Sequence, residues 1–368
     1  MGVRTLTRRV RKKRKSGIGA FVLLVCAAVC VKALSSPGVV GRLKAIAFSE
    51  DKEVSSGGYP EAVQPSPDTE EHETAYFDPA EGSVAGSDAT LYAIETTLLL
   101  EEDKPEPTQG FTDVSAFDPA DFNIRNETSY AIDAAELLAQ PLLISPDHSD
   151  DEPDVLIIHT HGCEAYAPTE QNMYEPSDPD RTEDRNFNVV RVGDEIERVL
   201  TQAGIKVVHE RSLFDYPSYN GCYNRALERI EEILTEYPSI QIVLDIHRDA
   251  LTGQDGMPYR SVTVVDGKEC AQVLLVVGTG EGGLTHPYWK ENLKLALQLE
   301  RIMQVKYSGL TRRLNLRQQR FNQHATLGSL IVEIGCTGNT LEEALRTAGL
   351  FAQCAAEVIL QAGQTGMP

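Results

Sequence analysis

Beyond Glu152 the chain alternates short apolar runs with stretches in which apolar residues recur every three to four positions. That is the pattern of strands alternating with amphipathic helices, and it predicts an α/β domain with a mostly parallel sheet flanked by helices. Val155 to Ile158 is a continuous apolar run, as expected for a strand buried on both faces. Asn188 to Gly204 carries Val189, Val192, Ile196, Val199 and Leu200 at helical spacing and stops at a glycine. Ile205 to Glu210 reads as a strand, Arg225 to Tyr237 as a helix ended by Pro238, and Gln241 to Ala250 as a third strand. Ala271 to Gly280 follows as a buried strand, then a helix from Pro287 to Tyr307, a last strand at Gly328 to Gly335, and a closing helix capped by Asn339 or Thr340.

Upstream the texture differs. Residues 35–151 are rich in Glu, Asp, Pro, Ser and Gly, the composition of a stalk. Two segments interrupt it, Leu91 to Leu100 and Tyr130 to Ile144, and each is expected to be a small helix or strand docking on the body. Gly17 to Leu34 is apolar, without charge until Lys32, and follows a basic run containing Arg8, Arg9, Arg11, Lys12, Lys13, Arg14 and Lys15. A span needs about 20 apolar residues, so this stretch reads as a signal anchor with its basic flank on the cytoplasmic side. A cleaved signal peptide ending near Ser35 to Gly38 is the alternative, and both place the body outside the cytoplasm. The organisation expected is a cytoplasmic tail over 1–16, an anchor over 17–34, a stalk over 35–151 and the α/β domain over 152–364.

The net charge of -21 argues against nucleic-acid binding. Of the seven cysteines, Cys26 and Cys30 lie in the anchor. The odd remainder, Cys163, Cys222, Cys270, Cys336 and Cys354, is spaced too widely for a disulfide framework or a CxxC zinc pair, and reads as buried apolar residues.

Polar residues gather where strands end. HTHGCEAY places His159, His161 and Glu164 after the first strand, VLDIHRDA places His247 and Arg248 on the third, and LIVEIG places Glu333 within the last. The carboxyl edge of an α/β sheet is where ligands bind, so these groups are expected to share one edge. Two imidazoles and a carboxylate are a common catalytic Zn2+ set, with His161, Glu164 and His247 as ligands and Glu333 as general base. An HxxE pair alone is weak, and a glutamate in a strand can be merely ion-paired. Glu333 is the stronger signal, because an ionised carboxylate in an apolar strand is costly unless paired or functional. Arg248 and Asp249 read either as a structural ion pair or as a clamp in which Arg248 binds a carboxylate of the substrate. Asn322 and Gln323 are placed to polarise a carbonyl. The loop Ala167 to Asn188 is longer than a connection requires and is expected to shape the site.

HTHGCEAY, RNFNVVRVGDEI, HERSLFDYPSYNGCYNRALERI, VLDIHRDA, RFNQHATLGSLIVEIG and GNTLEEAL, in that order, resemble the stage II sporulation protein P family over Val155 to Gln361. The resemblance implies a zinc-dependent peptidoglycan hydrolase of N-acetylmuramoyl-L-alanine amidase fold, acting in septal thinning and engulfment, with endopeptidase activity on cross-links as a further option. It puts the metal histidines on the HTH stretch and His247, and the catalytic glutamate on Glu333. Glu183 or Asp184, at the start of the first helix, competes with Glu164 as the carboxylate ligand, and His161 is preferred to His159, which would orient it. Implied partners are peptidoglycan, a glycan-cleaving sporulation protein and a multi-pass membrane protein, contacted through the stalk or the loop from Tyr174 to Arg185.

Two other classes compete: a zinc carboxypeptidase or deacylase using the same ligands, and a metal-free wall-binding scaffold. The anchor and stalk favour a wall substrate. Cysteine labels in the first residues are expected to be shielded from external reagents, while labels near Ser56 react; the reverse pattern in intact cells overturns the orientation.

Overall fold

The innermost strands are those with the longest uninterrupted apolar runs, as burial on both faces requires. The computed structural model describes residues 111–148, 151–177, 180–253 and 256–365. The expected tail, anchor and segment Leu91 to Leu100 lie outside them. Among the described residues, no helix is long and apolar enough to cross a membrane.

In chain order the strands are β1 (Ile124–Asn126), β2 (Val155–Ile158), β3 (Val207–His209), β4 (Ile242–Asp249), β5 (Val262–Val265), β6 (Lys268–Ala271), β7 (Val273–Gly278), β8 (Leu314–Arg317) and β9 (Gly328–Cys336). The helices are α1 (Ala134–Leu138), α2 (Val189–Gln202), α3 (Cys222–Glu236), α4 (Trp289–Lys306) and α5 (Leu341–Thr365). Seven strands form one sheet in the order β1-β8-β7-β9-β4-β2-β3. Five of its six pairings are parallel and one, β7 with β9, is antiparallel. The sheet is therefore mixed, and the mostly parallel expectation holds with that one reversal.

Alternation along the strands sorts side chains between two faces. Val155, Ile157, Leu244, Ile246, Leu275, Val332 and Ile334 share a large core with the buried faces of α2, α4 and α5. Leu156, Ile158 and Val243 pack on the other side against Ile230 and Ile233 of α3. A small cluster of Leu274, Val276 and Ile331, with Phe321 against it, completes that second face. Each such aliphatic side chain contributes roughly 1.5–3 kcal/mol when fully buried. The site lies on the second face, between α3 and the small cluster.

The last part of the expected stalk belongs to this fold. Its strand β1 pairs with β8, and Leu137, Leu138 and Leu142 pack on the main core. Lys294 of α4, nearly fully buried, donates to Pro141 O at 2.8 Å. The 130–144 segment thus docks as a helix, and the boundary drawn at 152 cuts through the packed structure.

Two features escape the periodicity. LNLR of β8 is flanked by arginines and glutamines, so its short alternation is masked. The β5–β6 hairpin turns at Asp266 and Gly267, both with positive φ (51° and 78°), which is the Asp-Gly signature of a tight hairpin.

At the start of α5, Thr340 rather than Asn339 is the cap. Thr340 Oγ1 accepts from Glu343 N at 3.3 Å while Glu343 Oε2 accepts from Thr340 N at 3.2 Å, a capping box. Asn339, fully buried, has a different task. Its Oδ1 accepts from Ser261 N and Cys336 N, and its Nδ2 donates to Ser261 O and Glu343 Oε2, all within 2.8–3.1 Å. One side chain so ties the end of β9 to the segment entering β5. Asn339→Ala leaves several of these groups buried without partners at about 1–3 kcal/mol each. It is expected to lower stability by roughly 2–4 kcal/mol, read as the thermal midpoint; an unchanged midpoint contradicts the account.

Candidate metal and catalytic site

The register of the central strands sets the site. Ile158 at the end of β2 pairs with Asp245, and His247 of β4 pairs with Glu333 of β9. Asp245 and His247 lie two apart, and therefore on one face of β4.

Beyond β2 the chain turns sharply, with Glu164 N donating to His161 O at 3.1 Å. The N-terminus of α2 then fixes the loop: Val189 N donates to Glu164 O at 2.9 Å, and Asn188 caps the helix through Val190 N. This brings His161, Glu164 and His247 together, with one ligand atom from each within 4.8 Å of the others. Glu164 Oε1 lies 3.2 Å from His161 Nδ1, and Oε2 lies 3.4 Å from His247 Nδ1. Glu183 and Asp184 are exposed, and Asp184 accepts from Asn186 N and Nδ2. Glu164 is the carboxylate the fold brings to the two imidazoles.

Three buried atoms at this edge have no hydrogen-bond partner: Nε2 of His161, Nε2 of His247 and Oε2 of Glu333. Unpaired buried polar atoms are uncommon: Nε2 of His247 faces Asp245 Oδ1 at 2.9 Å, and the other two point to a ligand. Two imidazoles and a carboxylate fit a Zn2+ ion.

Electrostatics separates the two acids. Burial works to raise Glu164, and the charge of His247 together with hydrogen bonds from His161 and His247 outweighs it, holding Glu164 well below the usual carboxylate range. Glu333 is raised, because burial outweighs the attraction of His247 while Asp249 and Glu164 push the same way. His247 is raised well above the usual imidazole range, since Asp245 and Glu164 overcome its burial.

Around the imidazoles stands an aromatic frame that sequence reading missed. His161 stacks on Tyr219 with ring centroids 4.8 Å apart and meets Tyr223 edge-on at 5.4 Å. The signal was the pair of tyrosines four residues apart in YNGCY, at the entrance to α3. Arg181 lies over Tyr219, with Cζ 5.2 Å from the ring centre, and ion-pairs with buried Asp215. Asp215 in turn accepts from Cys163 N at 3.1 and 3.2 Å. The long loop is thereby pinned beside His161.

Other expected residues stand elsewhere or have other partners. His159 has its Nδ1 3.1 Å from Ile246 O and its Nε2 2.8 Å from His209 Nε2. His209 faces Glu197 and Asp194, so His159 is turned toward that neighbouring group rather than hydrogen-bonded to His161. Burial, with the neighbouring imidazole, pushes His159 down to about 3. Arg248 is not paired with Asp249, which binds Arg312 at 2.8 Å. Its guanidinium donates to Ala165 O and Asp180 O, both at 2.8 Å, and its backbone N–H donates to Glu164 Oε2 at 3.0 Å. Buried and committed to these carbonyls, it steadies the loop instead of clamping a peptide. Asn322 donates to Tyr223 O, and Gln323 bridges Gly278 N and Val276 O, so both hold backbone. Burial pushes Cys163 and Cys336 up to about 12, which removes either as a nucleophile near neutral pH.

Comparison with known proteins follows this geometry. Residues 67–356 match the family model described as stage II sporulation protein P (SpoIIP). A curated relative, stage II sporulation protein P of Bacillus subtilis (strain 168), is 28% identical over 219 residues, covering 56% of this chain and 51% of the relative. The chain thus spans about half the length of that relative. Among solved structures, the apo N-acetylmuramyl-L-alanine amidase of Mycobacterium abscessus is similar at 14% identity and a TM-score of 0.36, covering 58% of this chain and 98% of that one. The CwlD amidase of Clostridioides difficile, in complex with the GerS lipoprotein, is similar at 13% identity and a TM-score of 0.34, covering 58% and 98%. The family match extends over most of the residues, including every one of the site: the chain belongs to the stage II sporulation protein P family.

Proposed function

We propose that this chain is a zinc-dependent peptidoglycan hydrolase that cleaves the amide between N-acetylmuramic acid and L-alanine of the stem peptide. It acts in sporulation, anchored by residues 17–34 with its catalytic domain outside the cytoplasm. The observation that carries this reading is the meeting of His161, Glu164 and His247 beside Glu333 on one face of the sheet. Family membership supports the wall substrate, and with it a glycan-cleaving sporulation protein and a multi-pass membrane protein as partners.

His161, Glu164 and His247 would hold the ion. Zinc so held supplies a Lewis acid for an amide carbonyl and acidifies a water. Glu333 takes the proton of the attacking water at Oε2, the atom that is buried and free of hydrogen bonds, and returns it to the departing nitrogen. Burial, which raises its proton affinity, suits it to both transfers. Tyr219 and Tyr223 keep the His161 ring in place from two sides.

The full-length chain is expected to contain about one zinc ion by metal analysis, one such three-ligand site holding one ion. His161→Ala and His247→Ala lose it, Glu164→Ala weakens it strongly, and Glu183→Ala and Asp184→Ala leave it. Full occupancy in His247→Ala sinks the site, and an effect confined to Glu183 or Asp184 moves the carboxylate.

Glu333→Gln is expected to keep zinc and thermal midpoint while release of stem peptides from purified peptidoglycan falls by about 10²–10⁴. Near wild-type release with both retained refutes the base. Shortened stems in place of released ones indicate a carboxypeptidase, and intact muropeptides a scaffold.

A further inference from the structure

Asp245 has no part in the roles assigned so far, yet it is the group at which the two imidazole-bearing segments meet. It is buried within β4, on the face that carries His247. Its Oδ1 accepts from Thr160 N at 2.8 Å, and its Oδ2 accepts from Thr160 Oγ1 at 2.6 Å. Thr160 is itself fully buried and directly precedes His161. The same Oδ1 lies 2.9 Å from His247 Nε2. One carboxylate therefore grips the backbone next to one imidazole and faces the ring of the other.

The ring of His247 stands between two carboxylates. Nδ1 is turned to Glu164 and Nε2 to Asp245. Glu164 belongs with His161 and His247 in the group of converging ligand atoms, whereas Asp245 does not. Its two oxygens are already engaged by two hydrogen bonds from Thr160. An imidazole that gives one nitrogen to a metal must carry its proton on the other, and a carboxylate there fixes the tautomer and the ring plane. The contact to Asp245 has hydrogen-bond distance but not yet hydrogen-bond angle, which leaves Nε2 unpaired in this fold.

We propose that Asp245 is the positioning residue of the metal centre: it accepts the Nε2 proton of His247, leaves Nδ1 to the ion, and through Thr160 holds His161 in register with it. This rests on the zinc-centre reading above and adds to it the residue that sets the ligand geometry. Asp245 touches neither substrate nor ion.

The test compares wild-type full-length chain with Asp245→Ala and Asp245→Asn, measuring zinc affinity by chelator competition, the thermal midpoint of the metal-free protein, and the visible spectrum of the cobalt-substituted form. Asp245→Ala is expected to bind zinc about 10–100-fold more weakly, as loss of a carboxylate behind a ligating histidine does, and to shift the cobalt bands. Asp245→Asn keeps an oxygen for Thr160 N–H and loses the charge, so its affinity falls between the two with the midpoint unchanged. Wild-type affinity and spectrum in the alanine variant overturn the role, and so does a lowered midpoint with affinity intact. Should the alanine variant not fold, wild-type affinity in Asp245→Asn overturns it alone. A wild-type chain that binds no zinc overturns the metal centre itself, a result distinct from any in which only the variants fail to differ.

Discussion

The in-register pairing of β4 with β9 is the constraint on which the rest depends. These two central strands set His247 and Glu333 side by side on one face, and the pairing of β2 with β4 sets Ile158 beside Asp245. A slip of one residue in either strand turns its whole set of side chains to the other face. Such a slip sets Asp245, His247 and Glu333 in the aliphatic core and turns Leu244, Ile246 and Val332 into the polar site in their place. The hydrophobic cost of that exchange protects the register, and the register makes the site.

Buried charge on the second face is then a matter of pairing. Glu164, Asp245 and His247 compensate one another, and Asp215 is met by Arg181. Glu333 has no cation at ion-pair distance among the described residues, and burial raises its carboxyl. Two acids a short way apart are thus driven in opposite directions by their surroundings, which is what the proposed roles of ligand for Glu164 and base for Glu333 require. The loops are locked as firmly as the strands. Arg248 donates to backbone carbonyls and Asp215 accepts from Cys163 N as well as from Arg181, so the exit of β2 is steadied from both sides.

The reversal at β7 confines the chemistry to half of the sheet. Strands β3, β2, β4 and β9 end at one edge, while β7, β8 and β1 end at the opposite one. All the converging polar groups come from the first set and the loop that follows β2, where the carboxyl ends of parallel strands gather ligands. The second set, with β1 added from the segment read as stalk, widens the sheet and covers the core.

The sequence by itself determined the α/β class, the central strands and the long helices, and singled out His161, Glu164, His247 and Glu333, because each of these is written in local periodicity or in a polar residue set against it. A glutamate inside LIVEIG is conspicuous for the same reason that a strand is legible: burial tolerates few exceptions. Local pattern is silent about which polar neighbours meet across the sheet. Only the tertiary structure set Glu164, and not Glu183 or Asp184, beside the two imidazoles, turned His159 toward His209, gave Arg248 to backbone carbonyls and Asp249 to Arg312, and brought Asp245, Tyr219 and Tyr223 to the imidazoles. Those outcomes depend on contacts between residues far apart in the chain, fixed by strand register and loop closure rather than by the residues on either side.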